Sequence, residues 1–263
     1  MNGKRASVVA GALGAVLLAA HLPALAAGAP ARGGGELEAW SGSHALELRL
    51  ASATRVPLFG TQRSVTTSLL LVDVARDGDG WTQRHRVCDV RVSGSSAMRM
   101  VVPEAFVRGL AVRRYPAALR DGPEGVRYTA DMGLEAIGFD PAATDGALPR
   151  DAGDPGVRDS DGDGAPGATV ELRLPAAGRA KLYIVQRSHL VLSGRETAPD
   201  RIEGGVQVRV QEQRTLGAAP GLFARTPSTR AEPARSGFTL VRSPGVRGCG
   251  DLVREADSLF GRG

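Results

Sequence analysis

The chain has 263 residues, 42% of them hydrophobic and 23% charged, with a net charge of +5 at pH 7. That length supports a core of useful size, as one large β domain or two small ones. The arginines alternate with other residues along strand-like runs, as at Arg84, Arg86 and Arg91, which suits a solvated strand face and argues against a nucleic-acid footprint.

Residues 1–26 read as a signal peptide. Lys4 and Arg5 form a basic start, residues 8–20 are apolar, and Pro23-Ala-Leu-Ala26 offers a small-x-small cleavage pattern. The apolar run is too short and Gly-rich for a membrane span, and no later segment is apolar enough for one. Residues 27–35 read as a flexible leader, and residues 36–263 as a single β-rich domain. The expectation is an exported protein, periplasmic or secreted, with no stable membrane span after cleavage.

Residues 36–54 alternate, with Leu46, Leu48 and Leu50 on one side and Glu47 and Arg49 on the other, the period of a half-buried strand. Residues 61–76 are rich in β-branched types, and residues 81–92 return after Asp77-Gly-Asp-Gly80. Two long strands about an Asp-Gly turn predict a hairpin. Residues 97–102 predict a short strand. Residues 103–110 predict a short helix, with Pro103 first and Glu104 in the opening turn. Another short strand is predicted at residues 126–130. Residues 138–168 are rich in Asp, Pro, Ala and Gly and read as a long acidic loop. Strands follow at 172–174, 180–192, 202–216 and 238–242, with residues 217–236 as a loop. Residues 252–260 predict a C-terminal helix, with Asp251 as its cap. Long antiparallel strands with little helix predict an all-β fold with minor α. The sheet would be large and strongly curled, or closed as a lipocalin-like barrel able to enclose an apolar small molecule.

The acidic loop carries the one recognisable chemistry. Asp159, Asp161 and Asp163 occupy alternate positions, followed by Gly164. A chain curling around Ca²⁺ presents alternate oxygens inward, and glycine permits the sharp turn after the third carboxylate. The candidate ligands are these three carboxylates, the Ala165 carbonyl and Glu171. An EF-hand loop would close with Glu at its twelfth position, where this chain has Val170, and Pro166 stands where an aliphatic residue is usual. The flanks predict a loop feeding a strand rather than a helix-loop-helix, and any Ca²⁺ would be weakly held. The plain alternative is a solvated Asp/Gly turn between strands.

The form Asp-x-Asp-Gly-Asp-Gly-x-Pro-Gly-x-Thr-Val over residues 159–170, with Tyr183-Ile-Val-Gln-Arg187 and Arg201-Ile-Glu-Gly204, resembles a group of exported bacterial proteins with an EF-hand-like calcium-type loop. The resemblance covers residues 130–216. It implies that the Asp loop is a family feature and implies no activity.

Cys88 and Cys249 are the only cysteines. In an exported chain they are expected to pair, tying the C-terminal helix to the early hairpin. His44, His85 and His189 show no metal-ligand spacing, and no G-x-S-x-G elbow, P-loop or dinucleotide fingerprint occurs. Gln207, Gln211 and Gln213 read as surface positions. A non-catalytic β-rich protein with one Ca²⁺-binding Asp loop is favoured, the alternative being a barrel that carries a lipid or other apolar ligand; an enzyme would need His85 or His189 to meet a carboxylate in a cleft.

Overall fold

The computed structural model describes residues 35–56, 60–94, 99–174 and 178–261. The predicted signal peptide and most of the leader lie outside them. The described residues fall within one unit, Ala31–Gly263.

Alternating side chains and long β-branched runs dictate strands, and the strands close on themselves. A helical turn, α1 (Gly35–Glu38), precedes β1 (Gly42–Val56), β2 (Gly60–Asp77) and β3 (Gly80–Ser93). The predicted hairpin is present, with Asp77 paired to Gly80 across the turn. Next come β4 (Arg99–Val101), α2 (Glu104–Gly109), β5 (Arg113–Arg120), β6 (Arg127–Ile137) and β7 (Ala168–Leu174). The second half holds β8 (Gly178–Ala198), β9 (Arg201–Ala219), β10 (Ser228–Ala231), β11 (Gly237–Arg242) and α3 (Cys249–Phe260).

Going round the sheet, β8, β6, β5, β3, β2, β1, β11 and β9 are neighbours, and β9 pairs back onto β8. All these pairings are antiparallel, so eight strands form a closed, barrel-like ring. Closure removes the open edges that a curled sheet would expose. Strand β8 is long enough to serve two neighbours on one edge, β7 along its start and β6 along its later part. Strand β4 extends the sheet beyond β7, and β10 pairs with the end of β1.

One end of the barrel is solid. Trp40, Leu46, Val72, Trp81, Tyr128 and Leu192 belong to one buried cluster there, and Tyr128 Oη donates to Gln83 Oε1 at 2.6 Å. On the outer wall, α3 lays Leu252, Ala256 and Phe260 against Ala45, Leu69 and Val241. The backbone N–H groups of its first turn meet no side-chain cap. Gly248 is the N-cap residue in place of the predicted Asp251, whose carboxylate instead accepts from Arg247 N at 3.3 Å. Cys88 and Cys249 form the expected disulfide beside this contact, with Cα atoms 5.0 Å apart. Cys88 sits at a register shift: Leu69 faces Asp89 and Leu70 faces Val87, so Cys88 is the extra residue of a bulge.

Candidate functional site: a barrel cavity and an acidic loop

Toward its other end the barrel is hollow. A cavity of about 300 Å³ lies among side chains of β1, β2, β3, β6 and β8. Leu48, Leu50, Leu70, Val87, Met132 and Leu190 give it apolar walls. The strand alternation that fills the solid end supplies them, since Leu46 and Leu48, or Val72 and Leu70, are successive inward positions. Further along β1 and β2 the inward residues become Ser52, Thr54, Ser64 and Thr66. Their hydroxyls pair locally: Ser52 Oγ with Ser64 Oγ at 3.1 Å, and Thr54 Oγ1 with Thr229 Oγ1 at 3.0 Å. Phe106 and Leu110 cover one side from α2 and the residue after it.

The wall also carries a buried polar group. His85 is 3% exposed, and neither ring nitrogen has a hydrogen-bond partner. Its ring meets the Tyr115 ring edge-on at 5.0 Å between centroids. Tyr115 Oη donates to Glu135, and both residues line the cavity. Burial lowers the His85 pKa to about 4, so the imidazole is neutral at pH 7. Burial, then the Glu135 carboxylate beside it, pushes the Tyr115 hydroxyl above its ordinary range, so it remains a donor.

The acidic loop is an ordered excursion from β6 to β7. Its ends are tied by Arg158 N to Gly138 O at 2.9 Å and Ser160 N to Gly167 O at 2.8 Å. Asp159, Asp161 and Asp163 converge, offering oxygens all within 4.8 Å of one another, a group that could hold a metal ion. The carboxylates also organise the turn. Asp159 accepts from Gly162 N at 2.7 Å and from Gly164 N at 2.9 Å, chiefly the latter keeping its pKa below the usual carboxylate range. Gly162 and Gly164 take positive φ of 70° and 81°, the conformation foreseen for Gly164. Asp163 accepts from Ala165 N at 2.9 Å and from Thr169 Oγ1 at 2.9 Å. Asp161 accepts from Thr169 N at 2.8 Å through one oxygen, while its other is buried without a partner. Desolvation, followed by the like charges of its neighbours, raises the Asp161 pKa.

Glu171 stands apart from this group. It lies on β7, and its carboxylate accepts from Arg173 Nη2 at 3.3 Å. Val170, at the twelfth position, is buried and faces the cavity, so the loop runs directly into a strand. The loop also touches the cavity's cover. A Cβ at Gly109, the last residue of α2, would lie 2.0 Å from Ser160 O, so only glycine allows this approach.

The remaining sequence candidates separate. His189 Nε2 meets Asp131 Oδ1 at 2.6 Å, and Arg209 holds the other oxygen at 2.9 Å. This cluster is on the outer face, because the next residue, Leu190, points into the cavity. Gln207 and Gln211 are exposed as expected, although Gln211 also borders the cavity, and Gln213 is half-buried and lines it. A register shift between His189 and Leu190, where β8 meets β9, changes which residues face inward.

Fold and site together define a closed antiparallel barrel, solid at one end and hollow at the other, with an acidic loop packed on the cover of the hollow end. No protein-family model matches the chain, and no curated protein does. Among solved structures it is similar to DynF, from the dynemicin biosynthesis pathway of Micromonospora chersina. The identity is 8% and the TM-score 0.35, over 77% of this chain and 81% of that one.

Proposed function

We propose that the protein is an exported, non-catalytic binding barrel that takes a compact apolar molecule into the cavity and holds one Ca²⁺ on its acidic loop. The observation that carries this reading is the cavity itself: largely apolar walls around about 300 Å³, inside a barrel whose other end is packed solid. That volume is at the lower end of the range, roughly 300–1,000 Å³, in which small-molecule sites fall. It suits a compact molecule better than a long acyl chain. The disulfide supports export, because such bonds persist in oxidising compartments. Among the described residues no helix is long and apolar enough to cross a membrane.

Naphthalene is a suitable probe, being rigid, apolar and small. It is expected to bind saturably, and Leu190→Trp, which fills the cavity from β8, is expected to abolish that binding while leaving the barrel folded. Absence of saturable binding up to the solubility limit would sink the proposal.

The Ca²⁺ part rests on three converging carboxylates, one with a buried oxygen that no donor satisfies. Lys181 Nζ, 3.8 Å from Asp163, supplies a neighbouring positive charge. A divalent ion would offset the desolvation that chiefly raises the Asp161 pKa and the like-charge repulsion that adds to it. Millimolar Ca²⁺ is expected to raise the melting temperature by a few degrees, and Asp161→Ala to abolish the rise. No calorimetric heat and no melting shift with Ca²⁺ would rule out this part.

A further inference from the structure

We infer that the occupant of the cavity is uncharged and carries a hydroxyl or carbonyl group that hydrogen-bonds to His85. The inference rests on the cavity reading above and narrows it to a ligand class. Its basis is the pairing of a largely apolar, partly open cavity with one buried polar side chain on its wall that the protein itself leaves unsatisfied.

Buried polar groups in folded proteins are nearly always paired, and leaving one unpaired costs stability. His85 breaks that rule at both ring nitrogens, at 3% exposure, on the cavity wall. The neighbouring Tyr115 cannot satisfy it. Its ring meets His85 edge-on, and its hydroxyl is committed to Glu135. Gln83, the preceding inward residue on β3, accepts from Tyr128 through Oε1 and belongs to the solid end; its Nε2 is also without a partner and makes no hydrogen bond to His85. The partner for His85 therefore has to come from the cavity side.

The chemistry of that partner follows from the charges. Burial keeps the imidazole neutral, so it offers one acceptor and one donor, the pair that a hydroxyl complements. The cavity lining includes one cation, Arg113, and one anion, Glu135. These cancel, and no net charge remains to offset the desolvation of a charged ligand. A carboxylate head would approach Glu135 across a low-dielectric space. A neutral group meets no such penalty.

The test compares four probes of one shape on the full chain: naphthalene, 2-naphthol, 2-naphthoate and 2-naphthylmethylammonium. The unaltered protein is expected to bind 2-naphthol about tenfold more tightly than naphthalene, the increment of one well-made neutral hydrogen bond. Both charged probes are expected to bind more weakly than 2-naphthol. His85→Leu should bring 2-naphthol down to the affinity of naphthalene, and His85→Gln, which keeps a donor and an acceptor, should retain a preference. In the unaltered protein the ¹⁵N signals of the His85 ring should move with 2-naphthol and stay in place with naphthalene, a readout independent of whether a variant folds. If naphthalene binds and 2-naphthol binds no better, or a charged probe binds at least as well as 2-naphthol, this inference is overturned while the cavity reading stands. If naphthalene does not bind, the cavity reading itself fails, and this inference with it.

Discussion

Reduction of the Cys88–Cys249 disulfide is expected to lower the unfolding free energy by roughly 5 kcal/mol, the chain-entropy value for so long a loop. The two cysteines are 161 residues apart, so the bridge closes the chain from β3 to α3 into one ring, with β1 and β2 outside it. The opened chain gains freedom mainly in its unfolded state, so the loss should appear in full in urea titrations with and without reductant. The folded state should respond locally. Helix α3 is fixed by Leu252, Ala256 and Phe260 against the outer wall, by Arg201 Nη1 to Leu259 O at 3.0 Å, and by the bridge at its first residue. With the bridge cut, amide exchange should accelerate first along Cys249–Phe260, while the barrel strands keep their protection. The double variant Cys88→Ala with Cys249→Ala should reproduce both effects. A loss below about 1 kcal/mol would show that the bridge does not restrain the unfolded chain as this loop length requires.

Much of the barrel is legible in the sequence, because long strands with period-two alternation leave few architectures. The hairpin of β2 and β3, the strand pair β8 and β9, the short helix α2 and the C-terminal helix all follow from local pattern. Strand β5 does not. Its run, Arg113-Arg-Tyr-Pro-Ala-Ala-Leu-Arg120, places Pro116 mid-strand, and proline normally argues against a central strand. The ring tolerates it because β6 pairs only with residues from Ala117 onward. Strand β10 is likewise hidden in an Arg- and Pro-rich tract.

The site is legible only in part. The three aspartates converge as their spacing implies, whereas Glu171, one step into β7, is turned to Arg173. Nothing local marks His85. It sits between Arg84 and Arg86 in a polar run and looks like part of a solvated face. Only the neighbouring inward residues, Trp81, Gln83 and Val87, show that its side of β3 faces the interior. The bulges at Cys88 and at His189/Leu190 shift the inward set along β3 and β9, and strict alternation cannot anticipate them.

Acid should destabilise the protein well before its carboxylates titrate. His44 and His85 both have folded-state pKa values lowered from 6.5 to about 4. Desolvation is the main cause in each case. At His44 the nearby Arg242 lowers the value further, while the Gly42 carbonyl, 3.0 Å from Nδ1, partly offsets the fall. For a base with a depressed folded pKa, the unfolded chain binds the proton first. Stability is therefore intact above pH 6.5 and is lost as pH falls from 6.5 toward 4. Each histidine contributes about 3 kcal/mol across that window. Asp131, Asp159 and Asp251 have pKa values below the usual 3.8, so their own losses begin lower still. Urea titrations at pH 7, 6, 5 and 4.5 should show stability falling by about 2 to 3 kcal/mol per pH unit near pH 5, the slope of two protons. His85→Leu should halve that slope, because of the two lowered pKa values only that of His44 then remains. A flat stability between pH 6.5 and 5 would mean that both imidazoles gain protons without unfolding the chain, and that the core around His44 and the wall around His85 are open to water.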